Sequence, residues 1–489
     1  MTDPPARSRI RRALRKIGVV LLGVFVVMAG LAATAYLEFF RGPADPGFPP
    51  PRNRAEANRQ DLEYLKSFTR YDRSFSPQTE AAFKELVEEL LARTADLDDA
   101  GLEMGVARAV ALARNGHTNV RETAWGRSRL NSLPLRFAWF AEGLFVVKAD
   151  AAQADLLGAQ VLEEGGRTPQ ALALALRVFV GGPDNLAHEL APHLLQSPQA
   201  LHAAGLLPSA DEAALVFDLQ DGGRVERIVA ARAEPPPADS RSKWPKRVLS
   251  PVPSPDDQRP WLHVLDAGAP LALPLRHPDE PCRYTYLDDP GLAHIQINST
   301  RIPERESLGS CLDTALSDIE RRKARYAAVD LRFNSGGSYT LTTDFTERLP
   351  QVMPNDGRIF IVTTGNTFSA AIVTAARLKY FAGPRAVLVG ERPGDLEQMW
   401  AEGRQMVLPN SQIRIRFATG YHDWENGCTS LTKCYWPNFF LGVPAGKLLP
   451  AIPATLAFSD YISGRDTALE AIKSAIQPGY ELDHSASSR

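Results

Sequence analysis

The chain has 489 residues, 44% of them hydrophobic, which is enough for more than one packed core and unlike a disordered or fibrous chain. Lys and Arg number 55 against 57 Asp and Glu, a net charge of −2. Arg7, Arg9, Arg11, Arg12, Arg15 and Lys16 face only Asp3 within the first 16 residues, so the rest of the chain is acidic, and nucleic acid is excluded as the main partner.

After this basic segment, Ile17 to Leu37 runs for 21 residues without a charge, long enough as a helix to cross a bilayer core of about 30 Å. The basic flank predicts a cytoplasmic N-terminus and an exported body, so an inner-membrane, single-pass protein with its body on the periplasmic or extracellular side is expected. Ala33-Thr34-Ala35 offers the alternative, a signal-peptide cleavage site and a secreted chain. The length of the apolar run favours the anchor. Either way Cys282, Cys311, Cys428 and Cys434 meet an oxidising compartment, and the pairing Cys282–Cys311 with Cys428–Cys434 is expected. No CxxC pair suggests a metal site, and no cofactor is expected.

Residues 38–57 are proline-rich and read as a linker. A helical domain over 58–126 follows, with Ser76-Pro77 as a cap and first-turn proline, and with Gly116 placed as the terminator of the helix before Asn115-Gly116-His117-Thr118. Residues 127–233 mix strand pairs (LPLRFAWF, GLFVVKA) with helical stretches. Such a module is suited to binding extended peptide by strand addition. Residues 234–283 hold the proline-rich crossing EPPPADSRSKWPKRVLSPVPSPDD and read as a linker with connecting strands, and 479–489 read as a flexible tail.

Between them, 284–478 alternate apolar strands and helices, which predicts an α/β fold with a mainly parallel sheet covered by helices. Ligands in such sheets sit beyond the carboxyl ends of the strands. Gly336-Gly337, the stretch Gly365 to Ser369, and Glu391 all fall at such ends. Ser369 opens an alanine-rich helix directly after a strand, where the helix N-terminus supplies free N–H groups for developing negative charge. The competing explanation is that Ser369 or Thr367 only caps that helix. The loop lacks the lysine of a phosphate-binding P-loop. Arg332, at a strand end, suits either a peptide carboxylate or a nearby acid.

VDLRFNSGG (329–337), TFSAA (367–371), VLVGERPG (387–394), LPNSQIRIRF (408–417) and SDYISGRDTALEAI (459–472), preceded by ARNGHTNV (113–120), together resemble the tail-specific, or C-terminal processing, serine peptidases, in particular their tricorn-core and interphotoreceptor retinoid-binding protein-like branch. The resemblance implies a crotonase-like catalytic core over 284–478, a PDZ-like module over 127–233, and hydrolysis of peptide or protein substrates. By it Ser369 matches the nucleophile, and the amides of Gly336 or Gly337 and of Ala370 match the oxyanion hole. The bacterial processing enzymes place a lysine soon after the VGE strand, but VGERPGDLEQMW has none. The tricorn-like branch uses a histidine instead, which His117 matches, held by a carboxylate. Glu425 is the first choice for that carboxylate, with Glu391 and Asp423 as alternatives and His422 as a competing base. The departures around ERPGDLEQ keep a second expectation open, a catalytically degenerate protein that binds peptides or other ligands on the same fold.

Overall fold

The computed structural model describes residues 5–40, 42–124, 129–233, 245–253, 260–265 and 268–477. The expected tail 479–489 and part of the crossing after 233 lie outside these residues. Helix α1 (Pro5–Phe40) contains a 20-residue apolar stretch, Arg15–Thr34, none of it buried against the rest of the chain. A membrane span and a signal sequence both fit that helix.

Helices α2 (Arg54–Leu65), α3 (Pro77–Ala92) and α4 (Asp99–Ala111) pack around Leu62, Phe83, Val87 and Val106. Ser76 opens α3 with a reciprocal capping box to Thr79, and Pro77 follows in the first turn. Helix α4 ends at Ala111, and Arg114 takes the positive φ of 52° after it. Gly116 is therefore not the terminator expected from the sequence, and its role lies in the site described below.

The module after it is an antiparallel sheet of β1 (Leu135–Phe140), β2 (Gly143–Ala149), β3 (Gln160–Glu164), β4 (Glu212–Asp218) and β5 (Arg224–Ala230), in that spatial order. Its helices include α5 (Pro169–Leu176) and α6 (Asp184–Leu195), whose apolar faces cover the sheet around Phe137, Val146 and Leu215. The described part of the following crossing is not the free linker expected. Lys246, Arg247, Val248 and Leu249 are buried, Tyr461 Oη donates to Leu249 O at 2.7 Å, and Leu262–His263 pairs with β2. Composition misled here because prolines also suit a segment packed between two sheets, which here holds the short helix Pro245–Leu249 and the two-residue strand Leu262–His263.

The core sheet has the order β15 (Ile452–Pro453), β10 (Ala386–Gly390), β9 (Arg358–Thr363), β8 (Tyr326–Asp330), β7 (Leu292–Ile297) and β6 (Cys282–Leu287). All neighbours are parallel except the β6–β7 hairpin. Helices α7 (Arg305–Arg322), α8 (Thr343–Val352) and α9 (Ala370–Ala382) cover one face, and α10 (Thr467–Ile476) packs on the other. The middles of strands β8 (Ala327, Ala328 and Val329) and β9 (Ile359, Phe360, Ile361 and Val362) are apolar because both their faces are covered. Four short strands, β11 (Gln398–Ala401), β12 (Gln405–Val407), β13 (Arg414–Arg416) and β14 (Gly420–Asp423), extend from the core. Asn119–Val120 pairs antiparallel with β13, and Met406, Ile415 and Phe417 join the apolar core of the helical domain. Cys282 is bonded to Cys311 and Cys428 to Cys434.

Arg332, at the end of β8, is buried in a network of acids. Its Nε donates to Asp330 Oδ1 at 2.9 Å and its NH1 to Asp466 Oδ1 at 2.8 Å. Burial alone would raise the Asp330 carboxyl, but the Arg332 charge and His294 hold it below the usual carboxylate range. Arg332→Ala, leaving both acids buried without their partner, is expected to destabilise the chain by about 3–5 kcal/mol. The deficit should shrink as the pH falls and protonation neutralises Asp330, a trend that urea unfolding at several pH values would reveal.

Candidate active site

Three loops converge beyond the carboxyl ends of the core strands. The first joins β9 to α9 and carries Ser369. Thr364 Oγ1 donates to Arg332 O at 2.8 Å, Thr367 Oγ1 donates to Leu331 O at 3.0 Å, and Phe368 N donates to Asn334 O at 3.0 Å. These bonds lace the loop to the end of β8. Ser369 then turns into the helix with φ 56° and ψ −120°, a conformation that costs a non-glycine residue about 1–3 kcal/mol. Its side chain makes no capping bond, so the cap explanation fails for it. Thr367, tied to Thr364 N and Leu331 O, does not cap the helix either. The hydroxyl of Ser369 stands half-buried on a sharp strand-to-helix turn.

Gly336 and Gly337 lie against this turn, with φ of 107° and 143°. A Cβ on Gly336 would come within 2.6 Å of Ser369 Cβ, and one on Gly337 within 2.3 Å of Thr300 O. Gly336 N donates to Asn334 Oδ1 at 2.9 Å, so that amide is engaged. The amide of Gly337 and that of Ala370, the first residue of α9, have no acceptor among the described residues. Of the expected oxyanion donors, Gly337 and Ala370 are the two that remain free.

The second loop, Asn115 to Thr118, carries His117. Thr118 Oγ1 donates to Asp72 Oδ2 at 2.6 Å, Asn119 Nδ2 donates to Gly116 O at 2.8 Å, and Trp400 N donates to Asn115 Oδ1 at 3.2 Å. The imidazole is buried and stacks on Phe368, the residue before Ser369, with centroids 4.4 Å apart. A Cβ on Gly116 would meet Asp395 Oδ2 at 2.7 Å and the Phe368 ring at 2.9 Å, which explains glycine at that position.

The third loop follows β10 and brings Asp395 to His117. His117 Nδ1 lies 3.1 Å from Asp395 Oδ2, and Asp395 Oδ1 accepts from Leu396 N at 2.9 Å. A carboxylate only accepts, so Nδ1 carries the proton and Nε2 is left as a lone-pair nitrogen. Nε2 is buried and has no hydrogen-bond partner. Ser369 Oγ is thus not bonded to it in this structure, as is common where no substrate is bound. Burial pushes the His117 pKa down and Asp395 opposes that shift, so the ring is neutral near pH 7.

The carboxylate at His117 is therefore Asp395, and not Glu425, Glu391 or Asp423. Glu425 lies in the loop after β14, where its backbone oxygen accepts from Gly446 N. Asp423 accepts from Asn426 N and Gln398 Nε2 in a local turn. Glu391 stands at the end of β10, on a cavity of about 140 Å³ that it shares with Glu189. His422 is buried beside Glu402, with Nε2 3.3 Å from Glu402 Oε1, and stacks on Tyr435. Sequence reasoning passed over Asp395 because its neighbours were read as a departure from a family turn, although its place beyond a core strand was the available signal. Arg332 is taken up by its acids, Trp424 is buried in packing, and Trp436 is exposed. Among the described residues no three His, Cys, Asp or Glu side chains are grouped to hold a metal ion.

This mixed helix and sheet layout is similar to that of the tail-specific, or S41, proteases. Among solved structures the chain is similar to mature CPAF, with a TM-score of 0.53 at 13% identity over 86% of this chain and 96% of that one. It is similar to a serine-to-alanine mutant of CPAF, at 0.56 and 12% over the same shares, and to mature CPAF complexed with lactacystin, at 0.51 and 13% over 86% and 98%. At these identities the likeness is one of fold. No family model matches the sequence, and no curated protein matches it.

Asp395→Asn keeps the loop's shape but loses the charge that favours protonated His117, and with its amide oxygen held by Leu396 N it turns an NH2 donor toward Nδ1, which favours the wrong tautomer. Reaction of Ser369 with an acylating or phosphonylating probe is expected to slow by about a hundredfold to ten-thousandfold. In the parent chain the acid limb of that reaction should lie below the ordinary histidine value of about 6.5, because burial favours the neutral ring. In the Asn variant it should move lower still, which a rate–pH profile would show.

Proposed function

We propose that this chain is a membrane-anchored serine peptidase whose catalytic body faces the periplasmic or extracellular side. The observation that carries the reading is the juxtaposition at Ser369. A nucleophile type sits on a strained strand-to-helix turn, one residue after the Phe368 ring on which a buried neutral histidine, held by a carboxylate, is stacked. A serine hydroxyl is a weak nucleophile near neutral pH and needs a positioned base. His117 Nε2 takes the Ser369 proton as Oγ attacks a peptide carbonyl, and Asp395 stabilises the imidazolium that forms. The Gly337 and Ala370 amides hold the developing oxyanion, with the N-terminus of α9 adding its dipole. The imidazolium then protonates the leaving amine, and water activated by the same nitrogen releases the acyl group.

The fold likeness to CPAF supports a peptide or protein as the substrate class, and the module over 127–233 fits a PDZ-like role in holding it. The apolar stretch Arg15–Thr34 behind a basic flank supports the anchor and its orientation. The unbonded Nε2 of His117 is the one observation favouring the second reading, a ligand-binding protein with a silent site.

A fluorophosphonate probe separates the two readings. Labelling of the full chain that disappears in Ser369→Ala and drops at least about a thousandfold in rate in His117→Ala is expected of the peptidase. A folded chain that takes no label is the binding protein. For the anchor, the intact N-terminus should stay with the membrane through alkaline carbonate washing, whereas a soluble chain beginning after residue 35 is the outcome of signal cleavage.

A further inference from the structure

Helix α6 belongs to the inserted module, yet its first turns touch the loops of the core site. Asn185 Nδ2 donates to Arg392 O at 3.3 Å and also to Pro393 O, in the loop that leads to Asp395. One turn further, Glu189 accepts a hydrogen bond from Asn366 Nδ2, three residues before Ser369. Between them Leu186 packs in an apolar cluster with Phe368, the ring on which His117 stacks.

The backbone clearances agree. A Cβ on Gly365 would lie 3.1 Å from Glu189 Oε2, one on Gly394 3.3 Å from Leu186 Cδ1, and one on Gly182 3.0 Å from Gly116 Cα. The nucleophile loop, the carboxylate loop and the histidine loop thus all come close to residues 182–189 at glycine positions, where a side chain would collide. Gly394 N also donates to Thr367 O at 2.9 Å, which ties the first two loops into one body. That body is held to its own strands on one side and to α6 on the other.

We propose that Asn185 and Glu189 are positioning residues for the site. By holding 365–366 and 392–394 against α6 they set Ser369 and Asp395 relative to His117, so the seating of the module on the core decides whether the site is assembled. The catalytic meaning of this inference rests on the Ser369 reading, but its geometry does not.

Glu189 also adds a pH dependence. Its carboxyl is pushed up to about 7 by burial and by the charge of Glu391, against the bond from Asn366. The other titratable and charged groups around the same cavity and the one beside it are His188 and His193 on α6, Arg332, Tyr461 and Asp466 from the core, and Arg136 on β1. Asn366 donates to the ionised form, so the bond is strongest above about 7 and weakens as the pH falls through it.

The test uses the full chain in detergent. Asn185→Ala and Glu189→Ala should each slow fluorophosphonate labelling of Ser369 by about tenfold to a hundredfold, with Glu189→Gln, which keeps an acceptor, within about threefold of the parent at alkaline pH. The parent should show a step in labelling rate near neutrality that Glu189→Gln lacks. Amide hydrogen exchange over 364–368 and 392–396 should quicken in both Ala variants, whether or not Ser369 reacts. Parent rates of exchange in those loops overturn the proposal, even if labelling slows, because α6 would then not be what holds them. Slowed labelling that Gln fails to restore overturns the acceptor role of Glu189. A parent chain that never labels, together with the expected exchange changes, leaves the positioning intact and removes the hydrolase reading instead.

Discussion

The bond from His117 to Asp395 joins segments 278 residues apart in the chain, and a single hydrogen bond worth about 1.5–3 kcal/mol cannot by itself hold such segments together. Each end has to be fixed independently. The histidine end is fixed by Asn119–Val120 pairing with β13 and by Asp72, which accepts from Thr118 and from Ala418 N. The carboxylate end is fixed by Gly394 N on Thr367 O and by the grip of Asn185. The fold's elaborations around the parallel sheet make sense as supports for this one contact.

The same logic accounts for the strain at Ser369. A left-sided turn at a non-glycine residue persists only when its surroundings over-determine it. Thr364 and Thr367 bind the loop to the end of β8, Phe368 is wedged between His117 and the apolar face of α6, and the absence of a Cβ on Gly336 leaves room for the serine. Preorganisation of this kind is placed in the folded chain before any substrate arrives.

Much of this was readable in the residues. Strands buried on both faces announce themselves as unbroken apolar runs, so β8, β9 and β10 and the loops beyond them were visible, and with them Gly336, Gly337 and Ser369. Capping chemistry marked the start of α3 at Ser76-Pro77. What was not readable depended on contacts distant in sequence. Gly116 resembles a helix terminator locally, yet its lack of a side chain serves Asp395 and Phe368, both far along the chain. Asp395 was hidden for the same reason, since no local pattern tells which loop acid will face a given histidine. The crossing around Leu249 looked like a linker because a five-residue helix is too short to leave a periodic trace.

The order of these pieces along the chain has a consequence for biosynthesis. On the proposed mechanism the base is made early, the module that steadies the site is made next, and the nucleophile and its orienting acid follow, with β13 later still. A growing chain that has not yet passed residue 416 lacks the strand that pairs with Asn119–Val120 beside the His117 loop, so on that mechanism the site is not yet assembled. Reactivity at the proposed site is then deferred until most of the chain has been made.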